Sequence, residues 1–122
     1  MLQNQFKFLK IKQFASPNLP GSEIYMDTVF LSKLNSLAKA IPEGINITSG
    51  YYTTDDYDIS SDKRDLAHLR GLAAHITCLD DHKRFLIIML AIQRGIFRIG
   101  IGKTFIHLDI DYDLPADVIF LY

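Results

Sequence analysis

Phe97-Arg98-Ile99-Gly100-Ile101-Gly102-Lys103-Thr104-Phe105-Ile106-His107-Leu108-Asp109-Ile110 is the stretch that decides the fold class. Residues 97–101 and 105–110 are rich in β-branched and aromatic side chains, and Gly102-Lys103-Thr104 joins them, so the pattern predicts two adjacent strands. Period two in the second strand places Phe105, His107 and Asp109 on one face and Ile106, Leu108 and Ile110 on the other. The apolar face anchors the strand in a core. The opposite face carries an imidazole and a carboxylate, two residues apart, able to point into a cleft.

Working back from this pair, Asp80 or Asp81 caps a helix running through Gln93, with Phe85, Ile88, Met89 and Ile92 as its inner stripe and Gly95 as its stop. Gly71 to Cys78 reads as a turn entering a strand, in which His75 has the small neighbours Ala73 and Thr77. Ile45 to Ser49 alternates as a strand ending at Gly50. Val29, Phe30, Leu34, Leu37, Ala38 and Ile41 recur at helical spacing, predicting a helix from about Asp27 to Ala40, N-capped by Asp27. Phe6 to Lys12 alternates in part and predicts a short edge strand, and Ala15 to Ser22 is loop by composition. Tyr51 to Ala67 is polar and aperiodic, which reads as a long loop of the kind that often carries function. The apolar Val118 to Tyr122 predicts a last strand or a core-packed segment. The sum is an α+β chain: a small antiparallel sheet with two main helices, one domain over residues 1–122.

Composition narrows the function. Thirteen basic against 14 acidic residues leave a net charge of −1, with 48% hydrophobic and 22% charged residues over 122 positions. That is the balance of a globular domain and lacks the basic excess of a nucleic-acid binder. The longest apolar run, Phe85 to Ile92, falls far short of the roughly 18 residues that span a bilayer. No charged-then-apolar leader opens the chain, which predicts a cytoplasmic or virion-associated protein. Cys78 is the only cysteine, so neither a disulfide framework nor a multi-cysteine zinc site is available. Chemistry must come from His, Asp, Glu and backbone.

Of the four histidines, His82 falls in the first turn of a helix beside Lys83 and Arg84 and reads as a solvated position. His68, His75 and His107, from two segments, suit a tetrahedral zinc ion with an open position for water. Hydrogen-bonded structural histidines fit the same spacing. A plain α+β domain with unrelated histidines therefore stays open on the residues alone.

The segment Ala67-His68-Leu69-Arg70-Gly71-Leu72-Ala73-Ala74-His75-Ile76 resembles the HxxGxAxD signature of the D-Ala-D-Ala carboxypeptidase-like zinc peptidases, peptidoglycan enzymes of the hedgehog/DD-peptidase fold. Lys10-Ile11-Lys12-Gln13-Phe14-Ala15-Ser16 is similar to that family's N-terminal F-x-x-x-E-F-x-S. Ile47-Thr48-Ser49-Gly50-Tyr51 is similar to its I-T-S-G-Y-R, and Gly100 to Asp109 to its closing G-I-G-x-x-x-F-x-H-x-D. The four pieces occur in the family's order, from about residue 8 to 110.

The resemblance implies a hedgehog/DD-peptidase-like fold and a zinc ion held by His68, His75 and His107, acting on peptidoglycan stem peptides. Asp109 would orient an imidazole or accept a proton, and Tyr52 would help hold substrate. Four positions depart from the family. His75 stands where relatives have Asp, making the ligand set one unit more positive. Tyr52 replaces an Arg that stabilises charge, and a phenol does not reproduce a guanidinium fork. Leu66 replaces a Ser or Asp, and Thr104 sits where many relatives place a general-base carboxylate. Two expectations follow from the resemblance. One is a zinc-dependent peptidoglycan peptidase. The other is a catalytically degenerate domain of the same fold with a structural or wall-binding role, for instance in a phage particle.

Overall fold

The computed structural model describes residues 2–122. Its core is organised by two helices. In α2 (Thr28–Lys39) the Asp27 carboxylate accepts a hydrogen bond from Phe30 N at 2.9 Å, and Phe30, Leu31, Leu34, Leu37 and Ala38 are buried. Val29, expected on this inner stripe, faces solvent. In α4 (Asp81–Gln93) Asp80 is the cap and Ile87, Leu90 and Ala91 are the buried positions. The expected stripe is turned: Phe85 and Ile92 are exposed, and Ile88 and Met89 are half-buried. Residues 85–92 are apolar on every side, so periodicity carries no phase, and packing against α2 and the sheet selects the face.

Five strands form one sheet in the order β1-β2-β4-β3-β5: β1 (Ile47–Ser49), β2 (Ala73–Thr77), β3 (Arg98–Ile101), β4 (Phe105–Asp109) and β5 (Val118–Leu121). Every pairing is antiparallel except β3–β5, which is parallel. The sheet is therefore mixed, not antiparallel as expected. The reason lies in the register. Asp109 and Val118 both sit beside Arg98, so the chain leaves β4 and re-enters the sheet at the same end of β3, and β5 must run along with β3.

Two other expectations change. Phe6 to Lys12 forms no strand; after α1 (Leu2–Gln5) the chain turns into a 3₁₀ helix at Ile11–Phe14. The Gln3 side chain braces this turn, donating to Leu9 O at 2.7 Å and accepting from Ile11 N at 3.0 Å, while Phe6, Leu9, Ile11 and Phe14 are buried at irregular spacing. Residues 51–67 hold helices in place of a long loop. α3 (Thr54–Ser60) starts with a reciprocal Thr53–Asp56 capping box, and a 3₁₀ helix, Lys63–Arg70, starts at Asp62. Local capping by Thr53 with Asp56 and by Asp62 starts these elements; α3 buries none of its residues, so no apolar periodicity marked it.

The sheet has two unlike faces. Ala74–Leu108–Ile99 and Ile76–Ile106–Ile101 run as cross-strand rows against α2 and α4. On the other face His75, His107, Gly100 and Phe120 stand in one row, beside the row of Ala73, Asp109 and Arg98. Among the described residues no helix is long and apolar enough to cross a membrane.

Candidate metal centre

Strand pairing brings His75 and His107 directly opposite one another, and Gly71 then returns the chain so that His68 meets them. Gly71 has φ +69°, and a Cβ there would lie 2.2 Å from Tyr25 O, so the turn requires glycine. The three rings meet edge to face: His68 Nε2 lies 3.2 Å from His75 Nε2, which lies 3.1 Å from His107 Nδ1. His68 and His107 are fully buried and His75 nearly so.

Hydrogen bonds behind the rings fix which nitrogens face inward. His68 Nδ1–H donates to Gly50 O at 2.6 Å, leaving its Nε2 as a lone pair. His107 Nε2–H donates to Asp109 Oδ2 at 2.6 Å, leaving its Nδ1 likewise. Arg98 Nε in turn donates to Asp109 Oδ1 at 2.8 Å, and Arg98 also reaches Pro115 O. A single proton on His75 Nε2 can serve only one of the two lone pairs that face it. With neutral imidazoles, the inward-facing lone pairs of His68 and His107 are available to a cation.

Protonating His68 or His75 is opposed by the surroundings. Burial, then the neighbouring imidazoles His75 and His107, push His68 well below the ordinary histidine range. Burial also lowers His75, against the opposing pull of Asp65. A metal cation would meet those lone pairs without requiring a proton. Donors at 2.0–2.1 Å from a tetrahedral zinc stand about 3.3 Å apart, close to the observed separations. The donor set fits.

Asp65 completes the cluster: its ligand oxygen and those three ring nitrogens lie within 4.8 Å of one another. The structure also brings in Tyr122, whose hydroxyl donates to Asp65 Oδ1 at 2.7 Å and whose oxygen is 3.0 Å from His107 Nδ1. Sequence reasoning assigned neither residue a role. Asp65 lay in a segment read as loop, and its i, i+3 spacing to His68 was the available signal. For Tyr122 only its place in an apolar terminal strand was visible.

The remaining site residues occupy other places. Asp109 is fully buried between His107 and Arg98, where it orients the imidazole. Tyr52 lies flat on His68, with ring centroids 4.2 Å apart and an interplanar angle of 15°. Thr104 is exposed in the β3–β4 turn, and Leu66 is half-buried in the 3₁₀ helix. His82 is exposed on α4. Beside Gly50 and Tyr52 opens a cleft of about 420 Å³, lined also by Gln13, Ser49, Asp56 and Ser60. Compared with family models, curated proteins and solved structures, the chain matches none.

Proposed function

We propose that the chain is a zinc-binding domain of the D-Ala-D-Ala carboxypeptidase-like kind in which hydrolysis has been lost, and that it serves as a structural or wall-binding module. His68, His75 and His107 would hold the ion. Asp109 and Gly50 O fix the tautomers of two of the three, and Arg98 holds Asp109. Bound zinc supplies Lewis acidity and a rigid cross-link between segments remote in sequence.

The observation that carries the silent reading is the Tyr52–His68 stack. At the position where the resemblance calls for a charge-stabilising guanidinium, the side chain is neutral and its ring is used in packing. Removing one preorganised charge-stabilising donor typically costs about 10²–10³ in rate. Thr104 offers no carboxylate where the family's base would stand, a further loss of about 10²–10⁴.

A second reading, an active peptidase on peptidoglycan stem peptides, is favoured by the cleft beside Tyr52 and Gly50, which adjoins the metal centre and has polar groups along its wall. Purification without chelator, zinc analysis, and incubation with cell-wall muropeptides separate the two. Zinc without cleavage is the expected result. Zinc with steady release of D-Ala or of cross-linked fragments would establish the second reading and remove the first.

A further inference from the structure

We infer that Asp65 is a fourth protein ligand and that Tyr122 holds it in place, so that the centre is a closed three-histidine, one-aspartate site. This rests on the reading that the three imidazoles bind a metal. A 3₁₀ helix has three residues per turn, so Asp65 and His68 project from the same side of Lys63–Arg70, one directly above the other. Asp65 Oδ1 lies 3.5 Å from His75 Nε2 and 3.8 Å from His68 Nε2, near the donor–donor edge of about 3.3 Å for tetrahedral zinc.

Both carboxylate oxygens are held. Oδ1 accepts from the Tyr122 hydroxyl at 2.7 Å, and Oδ2 accepts from Ser60 Oγ at 3.0 Å. A ligating carboxylate is usually held by outer hydrogen-bond donors, and Tyr122 and Ser60 are those donors here.

Charge gives a second argument. Asp65 is the one carboxylate in the cluster, and a single negative ligand among three neutral imidazoles would offset part of a divalent cation's charge.

The sequence also makes room for Tyr122. A Cβ on Gly100 would lie 2.6 Å from the rings of both Phe120 and Tyr122 and 3.0 Å from His107 Cβ. Glycine at 100 thus lets those rings reach across β3 to the histidine row. Arg64 covers Tyr122 from outside, its guanidinium carbon 4.6 Å from the ring centroid. Through Tyr122 the edge strand β5 is tied to the centre.

Cobalt(II) is the probe. The full chain, loaded with one equivalent of cobalt(II), is expected to give the strong visible bands of a tetrahedral site, and excess azide should leave them unmoved because no position is open. Asp65→Ala should lower cobalt affinity by more than the about ten- to hundredfold typical of losing an outer partner, and azide should then shift its bands. Tyr122→Phe should fall within that tenfold-to-hundredfold range and keep the tetrahedral spectrum. Should Asp65→Ala misfold by circular dichroism, Asp65→Asn replaces it, with the same expected loss of affinity.

Azide shifting the wild-type bands would overturn the fourth-ligand assignment while leaving the three-histidine reading intact. So would wild-type affinity and spectrum in both Asp65 variants. A wild-type chain that takes up no cobalt or zinc would instead remove the metal reading itself, and this inference with it.

Discussion

The two faces of one sheet differ in what completes them. Ile106 and Leu108 point to α2 and α4 and are fully buried among apolar side chains that need nothing further. His107 and Asp109, alternating with them on the same strand, are equally buried but sit among polar groups, His107 being held between Asp109, His75 and Tyr122. Burial alone stabilises the first face. On the second, burial is unfavourable unless the charges and lone pairs find partners. The fold therefore concentrates self-sufficient stability on one side and conditional stability on the other.

The largest expected effect probes the apolar side. Phe30→Ala should lower unfolding stability by about 3–5 kcal/mol, the usual loss for emptying a fully buried aromatic site. Chemical denaturation with and without zinc checks it: the loss should be the same in both. A loss that disappeared on adding zinc would mean that the two faces are not independent.

Next comes His107→Ala, which removes a central donor. Zinc at a hundred times Kd adds about 2.7 kcal/mol to a protein that binds it only when folded. His107→Ala should forfeit that increment, as the spread between melting curves with and without zinc would reveal, while the metal-free fold persists. Collapse of the metal-free variant would place His107 in the self-sufficient part of the structure.

Asp109→Asn is expected to weaken zinc binding by about ten- to hundredfold, because the carboxylate that orients His107 and accepts from Arg98 is lost. Isothermal titration measures this directly. An unchanged Kd would show that the imidazole needs no support from behind.

Acidification gives the smallest and most graded effect. The folded protein holds His68 and His75 below the ordinary value of 6.5, so below that pH the unfolded chain binds more protons than the folded one. Stability of the metal-free protein should thus be full above pH 6.5 and fall as pH drops beneath it. Asp65 adds a later loss: burial pushes its carboxyl up, but contacts with His75 and Tyr122 outweigh this and hold it below the ordinary carboxylate range. Melting temperature across pH 4 to 8 checks the slope, and a flat profile between 5 and 7 would contradict it.

How much of this was legible in the sequence follows the same division. The α2 helix, the β3–β4 pair and the strand bearing His75 were readable because apolar periodicity and caps agree there. The phase of α4 was not, since a uniformly apolar segment leaves the choice of face to its neighbours. The helices within residues 51–70 were hidden because polar caps, the Thr53–Asp56 box and Asp62, mark their starts without an apolar stripe to reveal them. The meeting of the three imidazoles was legible from the strand positions of His75 and His107, from the Gly71 turn that follows His68, and from the resemblance. Asp65 and Tyr122 were missed because their nearness depends on a 3₁₀ turn and on a strand that pairs parallel to β3, neither of which composition encodes.

The most direct measurement is zinc content together with melting temperature for the full chain, purified without chelator and then stripped. One zinc per chain, with a melting temperature that falls on chelation and recovers when zinc is returned, is the predicted result. A metal-free protein whose melting temperature is indifferent to both chelator and added zinc would contradict the account.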